Sequence, residues 1–308
     1  MDTQKQLRQI ANEGTAASIS ARKSGRFYIG PSRRSVLKEL WFGLSGGEVG
    51  LLTGEAGLGK TLLCRELLRR LPAAVRSVYT VAPLATREGG GCDLIDNIEQ
   101  SVAMMRAVHD QSDPTAIPRQ DPASHLAIIV DEAHRLDAEA FRRLAEWRHR
   151  ETNEGRSIGL LLIGPPSLRR MLALPELEQF ALQLTTRCEL PVFLQDETQS
   201  YIEHWLASSM RARVELSEAA NRMAYYATAG VPSEINQVCR NVVGSVDLRR
   251  NPAVTALEMA RAIWKTLKLN AGEDFDIAES RRQSIDRTTL VVPASDSYPD
   301  ESFFPEQD

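Results

Sequence analysis

Residues 54–61 form a glycine-rich run that constrains the fold more than any other part of the chain. The run reads Gly-Glu-Ala-Gly-Leu-Gly-Lys-Thr, which matches the phosphate-loop pattern of glycine, four residues, glycine, lysine and threonine. Residues 48–53 form a short apolar segment before it, and residues 62–71 follow with apolar positions at helical spacing. A strand, a glycine-rich turn and a helix in this order predict a parallel α/β sheet with an anion site at the helix N-terminus.

The same residues predict how a nucleotide is held. Backbone N–H groups exposed by the glycines, together with the positive end of the helix, suit the anionic oxygens of a triphosphate. Lys60 adds a positive charge for the β and γ phosphates, and the hydroxyl of Thr61 is a ligand for Mg²⁺. We therefore expect ATP and Mg²⁺ as cofactors, with the nucleotide held by Gly54, Glu55, Ala56, Gly57, Leu58, Gly59, Lys60, Thr61 and Leu62.

A second apolar segment, residues 126–130, ends in two acidic residues, Asp131 and Glu132. Open parallel sheets bind ligands at the carboxyl ends of their strands. We therefore expect Asp131 to hold Mg²⁺ and Glu132 to polarise the water that attacks the γ phosphate. Alone, two acids after a strand are as typical of a helix cap. The phosphate loop upstream favours the catalytic interpretation, with Lys60 and Glu132 as the catalytic residues.

The letters Asp-Glu-Ala-His at residues 131–134 are also the tag of one helicase group. Such a helicase needs two motor domains in tandem. A chain of 308 residues with one phosphate loop is too short for both of them once the rest is assigned. The four residues therefore indicate a nucleotide site rather than a helicase.

Hydrophobic periodicity and charge divide the chain into four parts. Residues 1–26 are a polar N-terminal arm, and residues 27–194 alternate apolar strands with helices. Residues 195–270 show only helical periodicity, apart from breaks at glycine and proline. Residues 271–308 contain ten acidic residues and three arginines, a net charge of −7, and predict a disordered acidic tail. Within the second part, strands are predicted at residues 48–53, 77–81, 126–130, 158–163 and 188–193.

The fold class that follows is a parallel-sheet α/β phosphate-loop domain followed by a small all-helical domain. No apolar run reaches the eighteen or more residues needed to span a bilayer, and the N-terminus has no signal-peptide core. We therefore expect a cytoplasmic protein without direct membrane insertion.

This order of elements resembles the AAA+ class, in which a helical lid follows the phosphate-loop domain and closes over the nucleotide. Within that class the chain is similar to the general secretion pathway A-type ATPases and to the related ATPases that select targets for transposons. The likeness covers about residues 27–269, and its more specific segment is Gly-Val-Pro-Ser-Glu-Ile-Asn at residues 230–236. The resemblance implies ATP hydrolysis and a homo-oligomeric ring or filament in the ATP state.

The sequence departs from the family pattern at three auxiliary positions. The resemblance places a sensor arginine directly after the lid proline, but this chain has Ser233 there, and it has Pro165 near the position of the first sensor. For the arginine finger that reaches a neighbouring subunit, Gln183 occupies one candidate position and Arg187 the other. Arg187 is therefore the predicted finger. With the core set complete, these losses favour a slow ATPase that acts as a nucleotide-dependent switch.

Three kinds of biological role remain open at this point. The resemblance favours a protein partner in a secretion or pilus machine. A DNA-associated regulator is the second, since residues 1–270 carry a net charge of about +3, the total of −4 less the −7 of the tail. Its basic cluster contains Arg22, Lys23, Arg26, Arg33 and Arg34. A nucleotide-binding scaffold with little hydrolysis is the third, and the altered sensor positions favour it.

Overall fold

A parallel sheet of five strands lies at the centre of the structure, a computed structural model. The structure describes residues 28–72, 75–82, 90–110, 125–210, 214–244 and 253–270. The predicted N-terminal arm and the acidic tail lie outside the described residues. Among the described helices, none combines the length and the apolar character that a membrane span requires.

The strand order of the sheet is β2-β3-β4-β1-β5, with every pairing parallel. Strands β1, β3 and β4 are buried along almost their whole length because helices cover both faces of the sheet. The predicted parallel α/β fold is therefore confirmed. The strands are β1 (Val49–Thr53), β2 (Arg76–Val81), β3 (His125–Asp131), β4 (Ser157–Gly164) and β5 (Leu184–Glu189).

The prediction of the last strand at residues 188–193 was wrong. Strand β5 begins four residues earlier, at Leu184, and ends at Glu189. It is an edge strand, and its side chains alternate between buried and exposed positions. Because one of its three buried positions is Thr186 and the other two are Leu184 and Cys188, the period-two pattern carries little hydrophobic signal.

Two helical layers cover the sheet, and the alternation of side chains along β3 shows how the core is divided. Ile128 and Val130 face a cluster that includes Phe141 on one side. Ala127 and Ile129 face the opposite cluster, to which α1 and α2 contribute. The helices of this part are α1 (Pro31–Ser45), α2 (Lys60–Arg70), α3 (Gly90–Asp110), α4 (Ala138–Asn153), α5 (Pro166–Leu172) and α6 (Glu178–Ala181).

Among the described residues, four helices after the sheet form a core of their own, which includes Ile202, Leu206 and Ile235. They are α7 (Gln195–Met210), α8 (Glu218–Thr228), α9 (Pro232–Val243) and α10 (Ala256–Asn270). The structure adds a two-stranded parallel sheet to the predicted all-helical arrangement, made of β6 (Glu215–Leu216) and β7 (Ala253–Val254). Strands of two residues are too short to show a periodic pattern, so they cannot be predicted from hydrophobic periodicity.

Helix α1 connects the sheet to the helical part through a buried carboxylate. The backbone N–H and the hydroxyl of Ser32 donate to Oε1 of Glu197, at 3.0 and 2.8 Å. The backbone N–H of Leu194 donates to the other oxygen of the same carboxylate at 3.3 Å. Glu197 lies in the first turn of α7. The start of the helical part is therefore held against the start of α1.

Candidate nucleotide-binding site

The phosphate loop between β1 and α2 has the backbone shape that its glycines allow. Gly57 and Gly59 adopt φ angles of +81° and +88°, in the left-handed region that side chains with a Cβ rarely enter. Gly59 is the N-cap of α2, and no side chain caps this helix end. The first N–H groups of α2 are therefore left without a side-chain acceptor where the loop opens, which suits an anionic ligand.

Lys60 bends back over the loop. Its Nζ donates to the carbonyl oxygens of Gly54 at 2.6 Å and Glu55 at 2.9 Å. Burial lowers the pKa of Lys60, and the nearby carboxylates of Glu132 and Asp131 act in the opposite direction. The ammonium group thus donates to neutral carbonyl oxygens. These are weaker acceptors than the anionic oxygens that a bound triphosphate would offer in their place.

Asp131, the last residue of β3, accepts three hydrogen bonds. Thr61 Oγ1 donates to Oδ2 at 2.9 Å, and Tyr79 OH donates to the same oxygen at 2.5 Å. The backbone N–H of Glu132 donates to Oδ1 at 2.8 Å. Burial, followed by the hydrogen bond to Asp131, raises the pKa of the Tyr79 phenol. The phenol therefore stays protonated and remains a donor.

The residues at this point fit Mg²⁺. Because the Thr61 hydroxyl donates its hydrogen bond to Asp131, the lone pairs of its oxygen are free for a cation. Carboxylate and hydroxyl oxygens are ligands that Mg²⁺ accepts, and the ion normally completes its shell with phosphate oxygens and water. Thr61 and Asp131, the two predicted ligands, are thus brought together by the fold.

Glu132 stands directly after β3 in a strained conformation. Its φ of +56° is left-handed, which is uncommon for a residue other than glycine and is typical of functional sites. Its side chain is 39% exposed and lines the cavity above the phosphate loop. One carboxylate oxygen lies 3.4 Å from Nδ1 of His134 and 4.0 Å from Nη2 of Arg135. The carboxylate is thus partly open to solvent at the cavity wall.

The cavity has a volume of about 560 Å³ and extends from the phosphate loop to the helical part. Its far end is aromatic, because the ring of Tyr28 lies 5.9 Å from that of Phe193 and 5.6 Å from that of Tyr201. Tyr201 OH donates to Oδ1 of Asn236 at 2.8 Å. The sequence analysis missed these residues as site residues. They come from distant segments with no shared spacing.

Arg33 is a buried cation at the same end of the cavity. Its Nη2 donates to the carbonyl of Leu58 at 2.6 Å, and its guanidinium lies 3.8 Å from the centre of the Phe193 ring. Its Nη1 has no hydrogen-bond partner within the described part of the chain. Burial lowers the pKa of Arg33 to about 10, which leaves it charged at neutral pH. With 2% of its surface exposed, Arg33 is not available to the DNA-binding cluster in which the sequence analysis placed it.

The first turn of α9 lies directly on the phosphate loop. The backbone N–H of Ser233 donates to the carbonyl of Gly57 at 3.2 Å. A Cβ atom on Gly57 would lie 2.9 Å from Cβ of Ser233 and closer still to its hydroxyl. Pro165 and Ser233, the altered sensor positions, both line the cavity. Neither side chain supplies a positive charge, so the cations on the cavity wall are Lys60 and Arg33, among the residues described.

Arg187 is not brought into the cavity of its own chain. It lies on the edge strand β5 with an exposed side chain, and its Nη2 donates to the carbonyl of Ala181 at 3.2 Å. Gln183 lies in the turn that precedes the same strand. An arginine in this position has no access to its own phosphate loop, so the finger role stays a prediction about a neighbouring subunit.

The fold and the site define a phosphate-loop nucleotide-binding protein. Residues 44–172 match the family model described as an AAA domain, in agreement with the phosphate loop and the parallel sheet. It is similar to the general secretion pathway protein A of Aeromonas hydrophila, with 27% identity over 216 residues. That match covers 69% of this chain but 40% of the relative. The chain thus corresponds to less than half of the relative's length.

Solved structures are similar to this chain to different degrees. The Walker-type ATPase paby2304 of Pyrococcus abyssi is 15% identical, with a TM-score of 0.54 over 82% of this chain and 76% of that one. The Thermotoga maritima RuvB Holliday junction branch migration motor is 20% identical, with a TM-score of 0.47 over 78% of this chain and 70% of that one. At 15% identity, the similarity to the Pyrococcus abyssi ATPase shows the fold alone.

The contact between α9 and the loop predicts different costs for two glycine substitutions. Gly59→Ala adds a methyl group that meets nothing within 4 Å, so its cost is the left-handed backbone, about 1–2 kcal/mol. Gly57→Ala carries the same backbone cost and also collides with Ser233, which adds about 1–3 kcal/mol of overpacking. Urea unfolding without nucleotide measures both costs.

Ser233→Gly serves as the second change in a double-mutant test. It removes the hydroxymethyl group that the new methyl group meets, so it should recover part of the stability lost in Gly57→Ala and none of that lost in Gly59→Ala. Equal stability losses for the two alanine variants, or equal rescue of both, would show that α9 does not rest on the loop.

Proposed function

We propose that this protein binds Mg²⁺–ATP, hydrolyses it to ADP and phosphate, and acts as a nucleotide-dependent assembly switch. The observation that carries the proposal is the 2.9 Å hydrogen bond between Thr61 and Asp131. It joins the phosphate-loop helix to the end of β3 in the arrangement that a nucleotide-bound magnesium ion requires. Lys60 and Glu132 line the same cavity.

Each of these residues has a distinct role in the proposed reaction. Lys60 exchanges its two carbonyl acceptors for oxygens of the β and γ phosphates, and Thr61 and Asp131 hold the metal. When bound, Mg²⁺ supplies positive charge to the same phosphate oxygens. Glu132 orients a water molecule in line with the γ phosphate and accepts its proton. The products are ADP and inorganic phosphate.

The aromatic end of the cavity is the proposed site of the base. Tyr28 and Phe193 offer ring surfaces against which a base can pack, and Asn236 offers an amide. The guanidinium of Arg33 has an unused N–H group in this region, which suits an acceptor nitrogen or oxygen on the base or the ribose. Arg33 thus gives the base end of the cavity a fixed positive charge.

Slow hydrolysis is part of the proposal. Pro165 has no N–H or polar side chain with which to orient the attacking water, and Ser233 cannot form the charge-assisted fork of an arginine. With Lys60, Thr61, Asp131 and Glu132 present, binding is retained while stabilisation of the transition state is reduced. Such a protein stays in its ATP state for longer and suits a switch.

The biological setting is proposed from the similarity to general secretion pathway protein A. We propose a protein partner in a secretion-type machine and a cytoplasmic location. The burial of Arg33 takes one cation from the basic cluster that favoured DNA, so duplex DNA is the weaker candidate for a partner. The domain limits at residues 27–194 and 195–270 stay part of this proposal, and the start of α7 at Gln195 supports the boundary between them.

The reaction itself is tested by two substitutions that separate binding from hydrolysis. Lys60→Ala removes the charge on the phosphates and should abolish measurable ATP affinity. Glu132→Gln is nearly isosteric, so it should retain ATP affinity while the turnover rate falls by about 10²–10⁴-fold, the range for loss of a general base. A fluorescent ATP analogue reports binding, and phosphate release reports turnover. Unchanged phosphate release in Glu132→Gln would contradict the assigned role.

The base site is tested by comparing ATP with inorganic tripolyphosphate, which lacks base and ribose. Arg33→Lys keeps a positive charge but loses the planar fork that bonds Leu58 and faces the cavity. Affinity for ATP should fall about tenfold or more, and affinity for tripolyphosphate should stay unchanged. Arg34→Lys, on the exposed neighbour, is the control. An equal loss of affinity for ATP and for tripolyphosphate would show that Arg33 shapes the phosphate loop and does not contact the base or the ribose.

The finger proposal is tested by mixing two inactive variants. Arg187→Ala lacks the finger but keeps Glu132, and Glu132→Gln lacks the base but keeps the finger. If Arg187 acts in a neighbouring subunit, each variant alone is slow and the mixture regains part of the wild-type phosphate release. The loss in Arg187→Ala should be about 10³-fold or more, as for fingers in other phosphate-loop enzymes. No recovery on mixing, with both variants forming oligomers, would contradict action in trans.

A further inference from the structure

Tyr79 lies on β2 beside the predicted metal ligand, a position that the sequence analysis did not single out. Its phenol donates to Oδ2 of Asp131 at 2.5 Å. The register of β2 and β3 pairs Tyr79 with Ile129, two residues before Asp131. Side chains two residues apart share a face of the sheet, and a diagonal neighbour lies within reach of an aromatic side chain. The contact is thus a consequence of strand register.

The ring of Tyr79 is held in place by packing. It is half-buried and contacts the core cluster on the face of the sheet that α1 and α2 cover. Two aromatic torsions fix where its hydroxyl lies once the ring is packed. The phenol therefore presents its O–H to Asp131 from a rigid strand rather than from a mobile loop.

The three donors to Asp131 bind both oxygens of its carboxylate. Thr61 and Tyr79 donate to Oδ2, and the N–H of Glu132 donates to Oδ1. A carboxylate has about four lone-pair sites, so three donors fix its plane and leave room for a cation or its water. Thr61 is itself a predicted metal ligand. The Tyr79 hydroxyl and the Glu132 N–H are not, and both orient the carboxylate of Asp131 from outside the metal site.

We propose that Tyr79 is a positioning residue for Mg²⁺, which fixes the orientation of Asp131 through its hydroxyl group. This inference rests on the proposed function, because it assigns Tyr79 to the metal site of the same reaction. Partners that orient a metal ligand by hydrogen bonding contribute about 10–100-fold in metal affinity when they are removed. Tyr79 does not contact the metal or the nucleotide in this proposal.

The test is the Mg²⁺ dependence of nucleotide binding. Wild type, Tyr79→Phe, Asp131→Asn and the control Tyr226→Phe, at a residue that is 78% exposed, are each titrated with a fluorescent ATP analogue. One series contains EDTA and the others contain rising MgCl₂. Tyr79→Phe should need about 10–100-fold more Mg²⁺ to reach full affinity, with its EDTA affinity and its unfolding midpoint unchanged. Tyr226→Phe should behave as wild type.

Two results would overturn the inference while leaving the proposed function standing. One is a Tyr79→Phe titration identical to wild type when Asp131→Asn has lost its Mg²⁺ response. The other is a Tyr79→Phe protein that loses affinity equally in EDTA and in Mg²⁺, because a general effect on the loop would explain it. A wild-type protein with no response to Mg²⁺ would overturn the proposed function together with the role of Tyr79.

Discussion

The hydrogen bond from Thr61 to Asp131 depends on the whole sheet, because its partners lie 70 residues apart in the chain. Strand β4 separates β1 from β3, so the phosphate-loop helix must cross over β4 for Thr61 to reach the end of β3. The tight turn at Gly57 and Gly59 makes this crossing possible. The nucleotide site therefore depends on the strand order of the sheet as well as on the phosphate-loop motif.

Residues that act through local spacing were predictable from sequence, and residues that act through tertiary contact were not. Lys60 and Thr61 belong to one eight-residue pattern, and Asp131 follows an apolar strand directly. Tyr28, Phe193 and Asn236 come from three separate segments, and only the packing of the helical part against α1 brings them to one cavity. No periodic pattern in the sequence indicates that these three residues line the same cavity.

The missed parts of the fold have the same kind of cause. Strand β5 lies at the sheet edge, and Leu184 and Cys188 are its only apolar residues. The apolar run at residues 190–194 is the stronger hydrophobic signal, so the strand was predicted too far along the chain. That run leads into α7, and it includes Phe193, whose N–H donates to Gly230 at 2.9 Å. Its apolar character serves the contact between sheet and helical part rather than the sheet itself.

The position of positive charge in the cavity has consequences for how the helical part responds to nucleotide. An arginine at position 233 would link α9 to the γ phosphate by charge, but the small Ser233 lets the first turn of α9 rest on the backbone of Gly57. The second cation is instead Arg33, which bonds Leu58 and lies on the ring of Phe193. Arg33 therefore links the backbone of Leu58 in the phosphate loop to Phe193, in the segment that leads into α7. The loop and the helical part are coupled by packing and by a buried cation at the base end of the cavity, and this coupling does not require contact with the γ phosphate.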